Sequence, residues 1–206
     1  MNADGSGQTN LTNDPGDDWS PAWSPDGNKI AYWHGRGLRG GEEAGLYIMN
    51  PDGSGKTRLV RGDAEYPAWS PDGKRIVFES MELPDYPQLT SGNYGLYLVN
   101  ADGSGLVRLI DTPDQDHGAS WSPDGQLIAY QQEPRGKLPN IYVIHPDGSG
   151  QTRLTHSGGE RPVWAPDGKY ILYSAAGMYV MNPDGSAITP VSVSGVAIQA
   201  LMDWKR

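Results

Sequence analysis

The chain has 206 residues with 25 acidic and 16 basic side chains, a formal charge of −9 and a pI near 4.8. This acidic balance, with no basic stripe, argues against nucleic acid and anionic membrane surfaces as partners. Cysteine is absent, which excludes disulfides and thiolate chemistry, and no apolar run reaches the roughly 20 residues that span a bilayer, so membrane insertion is not expected.

From the N-terminus, Ser6-Gly7-Gln8-Thr9-Asn10-Leu11-Thr12 matches residues 149–155 and reads as an outer strand without a unit of its own. The chain thus opens inside a repeat, as a piece of a longer gene would. The first full unit begins with Ala22-Trp23-Ser24-Pro25-Asp26-Gly27 followed by Ile30-Ala31-Tyr32-Trp33. Proline presets φ in such a turn, aspartate bonds its own backbone, and glycine tolerates positive φ. A tryptophan strand, a tight turn and a branched or aromatic strand make a hairpin. Next come Leu46-Tyr47-Ile48-Met49, the turn Asn50-Pro51-Asp52-Gly53-Ser54-Gly55 and a strand over residues 56–60, a second hairpin.

The same two hairpins return three times. Tryptophan turns start at Ala68-Trp69, Ser120-Trp121 and Val163-Trp164, and Asp-Gly-Ser turns recur at Asp102, Asp147 and Asp184. The four tryptophans stand 46, 52 and 43 residues apart. A period of about 40 to 50 residues with four strands per unit is the signature of a propeller, because one such sheet cannot bury its faces alone. No stretch has helical periodicity. The predicted fold is therefore all-β, a β-propeller in a single domain over residues 1–206. Its blades cover about 17–60, 64–110, 116–155 and 159–192. Terminal strands at 6–12 and 198–204 belong to a split, incomplete fifth blade; Gln199-Ala200-Leu201-Met202-Asp203-Trp204 repeats a first strand without its turn. These unpaired ends can close the ring within one chain or associate with another copy.

The recurrent tryptophan-serine-proline-aspartate-glycine turn, apolar strand and aspartate-glycine-serine turn resemble the WD40-like (PD40) repeats of the TolB-type β-propeller family. The resemblance implies an extracytoplasmic, periplasmic bacterial protein that binds partner proteins rather than catalysing. It is similar also to the non-catalytic propellers of prolyl-oligopeptidase-type peptidases and to some polysaccharide lyases. The best-known members have six blades, more than this chain supplies.

Function is expected on the face that carries the divergent loops, residues 34–45, 81–95, 132–139 and 175–177, since loops that vary on a repeated scaffold build binding sites. Tyr86 and Leu89, in the longest of them, can anchor a protein or peptide. Four residues before each tryptophan, at the mouth of the axis, stand Trp19, Glu65, His117, Glu160 and Ala200, flanked by Asp18, Asp116, Tyr66 and Arg161. Glu65, His117 and Glu160 supply oxygen and nitrogen donors suited to a divalent cation, so the alternative to a protein-binding scaffold is a glycan-active or metal-dependent propeller working at this mouth. A wet, merely solvated ring of charges is the structural alternative, and a propeller fragment with no activity of its own is the third. His34, His145 and His156 lack partners in the sequence and are expected at the surface. No nucleophile elbow, His-Glu-x-x-His or other catalytic set is legible, and no cofactor is predicted beyond that cation.

Overall fold

The computed structural model describes residues 4–35, 41–81, 83, 93–110 and 112–191. Among them there is no helix, and sixteen strands form four antiparallel four-stranded sheets. The first blade comprises β1 (Asp17–Trp23), β2 (Ile30–Gly35), β3 (Gly45–Met49) and β4 (Thr57–Arg61). The second holds β5 (Glu65–Trp69), β6 (Arg75–Ser80), β7 (Gly95–Asn100) and β8 (Val107–Arg108). The third holds β9 (Gln115–Trp121), β10 (Ile128–Glu133), β11 (Asn140–Ile144) and β12 (Thr152–Arg153). The fourth holds β13 (Glu160–Trp164), β14 (Ile171–Ser174), β15 (Met178–Met181) and β16 (Thr189–Pro190). Each sheet is a meander in chain order, and the first strands β1, β5, β9 and β13 lie side by side about the axis.

The turn chemistry is the predicted one. Ser24 donates its hydroxyl to Asp26 at 2.6 Å and accepts the Lys29 amide at 2.8 Å, while the Asp26 carboxylate accepts the Asn28 amide. The Ser24 hydroxyl and the Asn28 amide hold the Asp26 carboxyl down at about 2. Ser70 with Asp72 and Ser122 with Asp124 repeat the set; in the fourth copy Ala165 stands where the hydroxyl would be. These turns share one end of the molecule with the Asp-Gly-Ser turns, to which they bond through Lys29 Nζ to Asn50 and the Ala101 amide to the Lys74 carbonyl.

Side chains interdigitate in two ways. Within each blade an aromatic on the second strand faces one on the third: Tyr32–Tyr47, Phe78–Tyr97, Tyr130–Tyr142 and Tyr173–Tyr179, with ring centroids 5.6–5.8 Å apart. Between blades, the tryptophan of one sheet packs on the sheet before it. Trp69 donates its indole N–H to the Ala22 carbonyl and Trp121 to that of Ala68, both at 3.1 Å. At the third interface the Trp164 amide bonds the Ser120 hydroxyl at 3.2 Å instead. Three buried clusters fill the interfaces, centred on Ile76 and Phe78, on Ile128 and Tyr130, and on Ile171 and Tyr173. Each large side chain removed from water there contributes about 1.5–3 kcal/mol.

Among the described residues, residues 6–12 carry no strand pairing. Leu11 nevertheless takes a fourth-strand seat. Its carbonyl lies against Gly53, as those of Leu59, Leu109 and Leu154 lie against Gly103, Gly148 and Gly185. The expected strand at 198–204 lies outside the described residues.

Candidate functional site

Every first strand enters the axis through the same distortion. The pairing register slips between Trp19 and Ala22, Glu65 and Ala68, and Glu160 and Val163, with a matching slip opposite His117. The residue inside each bulge has positive φ: Ser20 at 55°, Tyr66 at 49°, Gly118 at 64° and Arg161 at 51°. Only glycine reaches that region at no steric cost, so three of the four blades hold strained residues at one ring of positions. A bulge re-aims the side chains beside it. Here it leaves Trp19 at 62% and Tyr66 at 59% of full exposure, with Arg161 and Glu160 also exposed, at the end of the molecule that carries the divergent loops.

Between the second and third blades the mouth is built from a buried carboxylate. Glu79 on β6 accepts from His117 Nδ1 at 2.8 Å and from the Gly118 amide at 2.6 Å, clipping the bulge of the next blade. Gln131 holds the equivalent position one blade on, where its carbonyl oxygen accepts the Arg161 amide at 3.3 Å. Burial pulls the His117 imidazole down, but the hydrogen bond and charge of Glu79 outweigh it and the net shift is upward. With Nδ1 held by Glu79, Nε2 stands 3.3 Å from the Gln115 side chain, and the Tyr94 ring lies 5.1 Å from the imidazole. Burial raises the Glu65 carboxyl, and the neighbouring charges of Asp63 and Glu79 raise it further; Asp63 is raised by burial as well. Burial and the same carboxylates push the Tyr94 hydroxyl up to about 12. Asp116, fully buried, is pushed up to about 7 by burial and accepts from Gln132 at 3.0 Å, while its second oxygen has no hydrogen-bond partner.

A second cluster sits on the first blade. His34 is buried, not at the surface as its isolation in the sequence suggested: Nδ1 lies 2.9 Å from Asp18 and 3.4 Å from Asp14. Gly16 crosses the imidazole so closely that a side chain there would collide with it. Among the described residues these three form the one group whose donor atoms converge as a metal ion would need; Glu65, His117 and Glu160 do not form such a group.

The repeated turns and the four-sheet fold have counterparts in known proteins. The PD40 family, the TolB beta propeller domain, matches residues 67–195. The chain belongs to that family. The uncharacterized peptidase YuxL of Bacillus subtilis is 33% identical over 58 residues, 27% of this chain and 9% of that protein. An uncharacterized protein of Agrobacterium fabrum is 32% identical over 90 residues, 43% of this chain and 30% of that one. The chain therefore spans less than a third of the length of these curated relatives. Among solved structures, TolB from Acinetobacter baumannii superposes with a TM-score of 0.68 at 23% identity, over 93% of this chain and 48% of that one.

On this PD40 propeller the mouth residues Trp19, Glu65, His117 and Glu160 occupy one ring, yet among them only Glu65 and His117 share a local network, through Glu79; Ala200 lies outside the described residues. Glu160 and Arg161 stand on the fourth blade and Trp19 on the first. Tyr86 and Leu89 lie outside the described residues. Two features escaped the sequence reading. Glu79 looks like one more residue of an apolar strand, and only its pairing opposite Glu65 aims it at the mouth. The His34–Asp18 contact follows from the β1–β2 register, in which the two are direct partners, and it needs the bulge: an unbroken count back from Trp23 opposite Ile30 would set His34 against Trp19.

Proposed function

We propose that the chain is a non-enzymatic PD40 propeller that binds a protein or peptide on the face bearing the axial mouth and the divergent loops. The observation that carries this reading is the ring of left-handed bulges. Strain of about 1–2 kcal/mol per non-glycine residue is retained at Tyr66 and Arg161, both exposed, where the bulge presents an aromatic and a cation at the mouth. Exposed Tyr, Trp and Arg are the side chains that dominate binding energies at interfaces. This reading keeps Tyr86 and Leu89, named from the sequence of the loop at 81–95, as further anchors, and a periplasmic or otherwise extracytoplasmic bacterial setting accompanies it. Among the described residues no helix is long and apolar enough to cross a membrane. Paired alanine changes at Trp19 and Tyr66, and separately at Tyr86 and Leu89, are expected to weaken a bound protein or peptide by about tenfold or more. A ligand whose affinity neither pair alters binds elsewhere.

A second reading rests on the Glu79–His117 bond, which fixes one imidazole nitrogen as metal-binding histidines are commonly fixed. In it, His117 and Glu65 offer a divalent cation or a glycan hydroxyl a foothold at the mouth, with solvent or ligand oxygens completing the set, since Glu160 on the fourth blade does not converge with them. Metal content of the purified protein, compared with a His117→Ala variant, tests it; equal content in both removes it.

A further inference from the structure

We propose that Asp14, Asp18 and His34 hold a divalent transition-metal ion of the zinc class at the entry of the first blade. His34 stands on β2 as the direct register partner of Asp18 on β1, with Nδ1 2.9 Å from the Asp18 carboxylate. The Asp14 carboxylate approaches the same nitrogen at 3.4 Å, and all three donor atoms lie within 4.8 Å of one another. One Nδ1 hydrogen can serve Asp18 but is too far from Asp14 for a second good hydrogen bond. A cation serves all three. Ligand atoms bonded to one ion at about 2.0–2.2 Å stand about 3.0 Å apart in octahedral and about 3.4 Å apart in tetrahedral geometry. The separations of 2.9 and 3.4 Å found here match that span.

The third blade shows how these positions look when hydrogen bonds alone satisfy them. Counted from Trp19 and His117, the residues Asp14, Asp18 and His34 correspond to Thr112, Asp116 and Gln132. There the Gln132 amide donates to Asp116 at 3.0 Å and to Thr112 at 3.3 Å, so one neutral group serves two acceptors. The first blade has an imidazole in place of that amide and a second carboxylate in place of the hydroxyl. This exchange removes a donor, adds a charge and leaves one nitrogen and two carboxylate oxygens converging. The second blade has Val60, Ala64 and Ser80 at the same positions, and the fourth has Thr155, Gly159 and Ala175. Neither can bind an ion there.

The surroundings hold the set in place. Tyr47 meets the imidazole edge-on with ring centroids 5.4 Å apart, and its hydroxyl donates to the Glu43 carbonyl at 3.0 Å. A side chain at Gly16 would begin 2.4 Å from the imidazole, so glycine lets the chain between the two aspartates wrap the ring. The Gly16 amide donates to Asp14 Oδ1 at 3.2 Å, and Lys56 Nζ stands 3.4 Å from the outer oxygen Oδ2. Such outer contacts orient a ligating carboxylate. Both aspartates are half-buried, which leaves the remaining coordination positions to water. On binding, the ion takes the place of the Nδ1 hydrogen and Nε2 keeps the ring proton. A nitrogen donor and spacings this short select zinc or a neighbouring transition ion over calcium, which takes six to eight oxygens at about 2.3–2.6 Å. The bound ion clasps residues 14–18 to β2 and so steadies the strand that carries Trp19.

Calorimetric titration of chelator-treated protein with zinc chloride tests this site and separates it from one at His117. A D14T/H34Q variant copies the third blade and is expected to fold with a Tm near the parent's. The parent and a His117→Ala variant should each take up a single zinc ion per chain, and excess zinc should raise the Tm of both. D14T/H34Q should bind at least about tenfold more weakly and show no such rise. Asp14→Asn, which keeps the size of the side chain and removes its charge, should weaken binding too, so the test stands even if the double variant misfolds. No zinc uptake by the parent would overturn the proposal. Uptake unchanged in D14T/H34Q and Asp14→Asn, or lost with His117→Ala alone, would put the ion elsewhere and overturn it as well.

Discussion

The serine of the tryptophan turn is a small device whose worth the chain itself lets one measure. Three copies have a hydroxyl that bridges the aspartate and a backbone amide; the fourth has buried Ala165. Ala165→Ser should add the bond to Asp167 and accept the Tyr170 amide, raising stability in urea by about 0.5–1.5 kcal/mol. Asp116 acts in the opposite direction. Its carboxyl keeps a proton up to about pH 7 in the folded protein, while the unfolded chain releases it near its ordinary value. The folded state binds more protons between those limits, so stability falls as pH rises from about 4 to about 7 and levels off above. The raised His117 adds to this: its contribution is whole below the ordinary imidazole value and is lost as pH rises through the folded one. Asp116→Asn should therefore leave stability unchanged near pH 4 and raise it at pH 8 by on the order of 2–4 kcal/mol, flattening the slope in denaturant titrations taken at each pH.

At the scale of the element, the blade is held by regular contacts and distinguished by irregular ones. The turns, the strand pairs and the interblade tryptophans were legible because the same residue types recur in phase, and a repeated residue reports a repeated environment. Glu79 and Gln131 were not legible, since the position they share is Trp33 in the first blade and Ser174 in the fourth. Each reaches into the following blade, a contact that the order of residues within one unit does not express. Glu79→Ala should expose the consequence: the Gly118 amide and His117 lose their acceptor together. We expect a loss of about 2–4 kcal/mol in equilibrium unfolding, with Glu79→Gln recovering part of it through its amide oxygen. An equal loss in both variants would show that the carboxylate charge, rather than the clip on Gly118, is what matters.

For the whole molecule, stacking four similar sheets gives a scaffold in which each blade rests on its neighbour, and sequence repetition made that architecture readable from the tryptophan spacing alone. The mouth was readable only as a list of positions. Its bulges depend on how each first strand bends to approach the axis, and neither the composition nor the period of the strands encodes a left-handed tyrosine or arginine. Those residues are nonetheless the centre of the functional account, because the strained positions present exposed side chains at one ring. Selection of a random-peptide display library on the protein, followed by affinity measurements on the enriched peptides, puts this to the test. The comparison is between a Trp19→Ala, Tyr66→Gly, Arg161→Gly variant and one with Lys29, Lys74 and Lys169 changed to alanine on the turn face. The account predicts that the mouth variant folds with equal or greater stability and binds the selected peptides at least about tenfold more weakly, while the turn-face variant binds as the parent does. Peptides that bind the mouth variant unchanged, or that are lost only with the turn-face lysines, would contradict it.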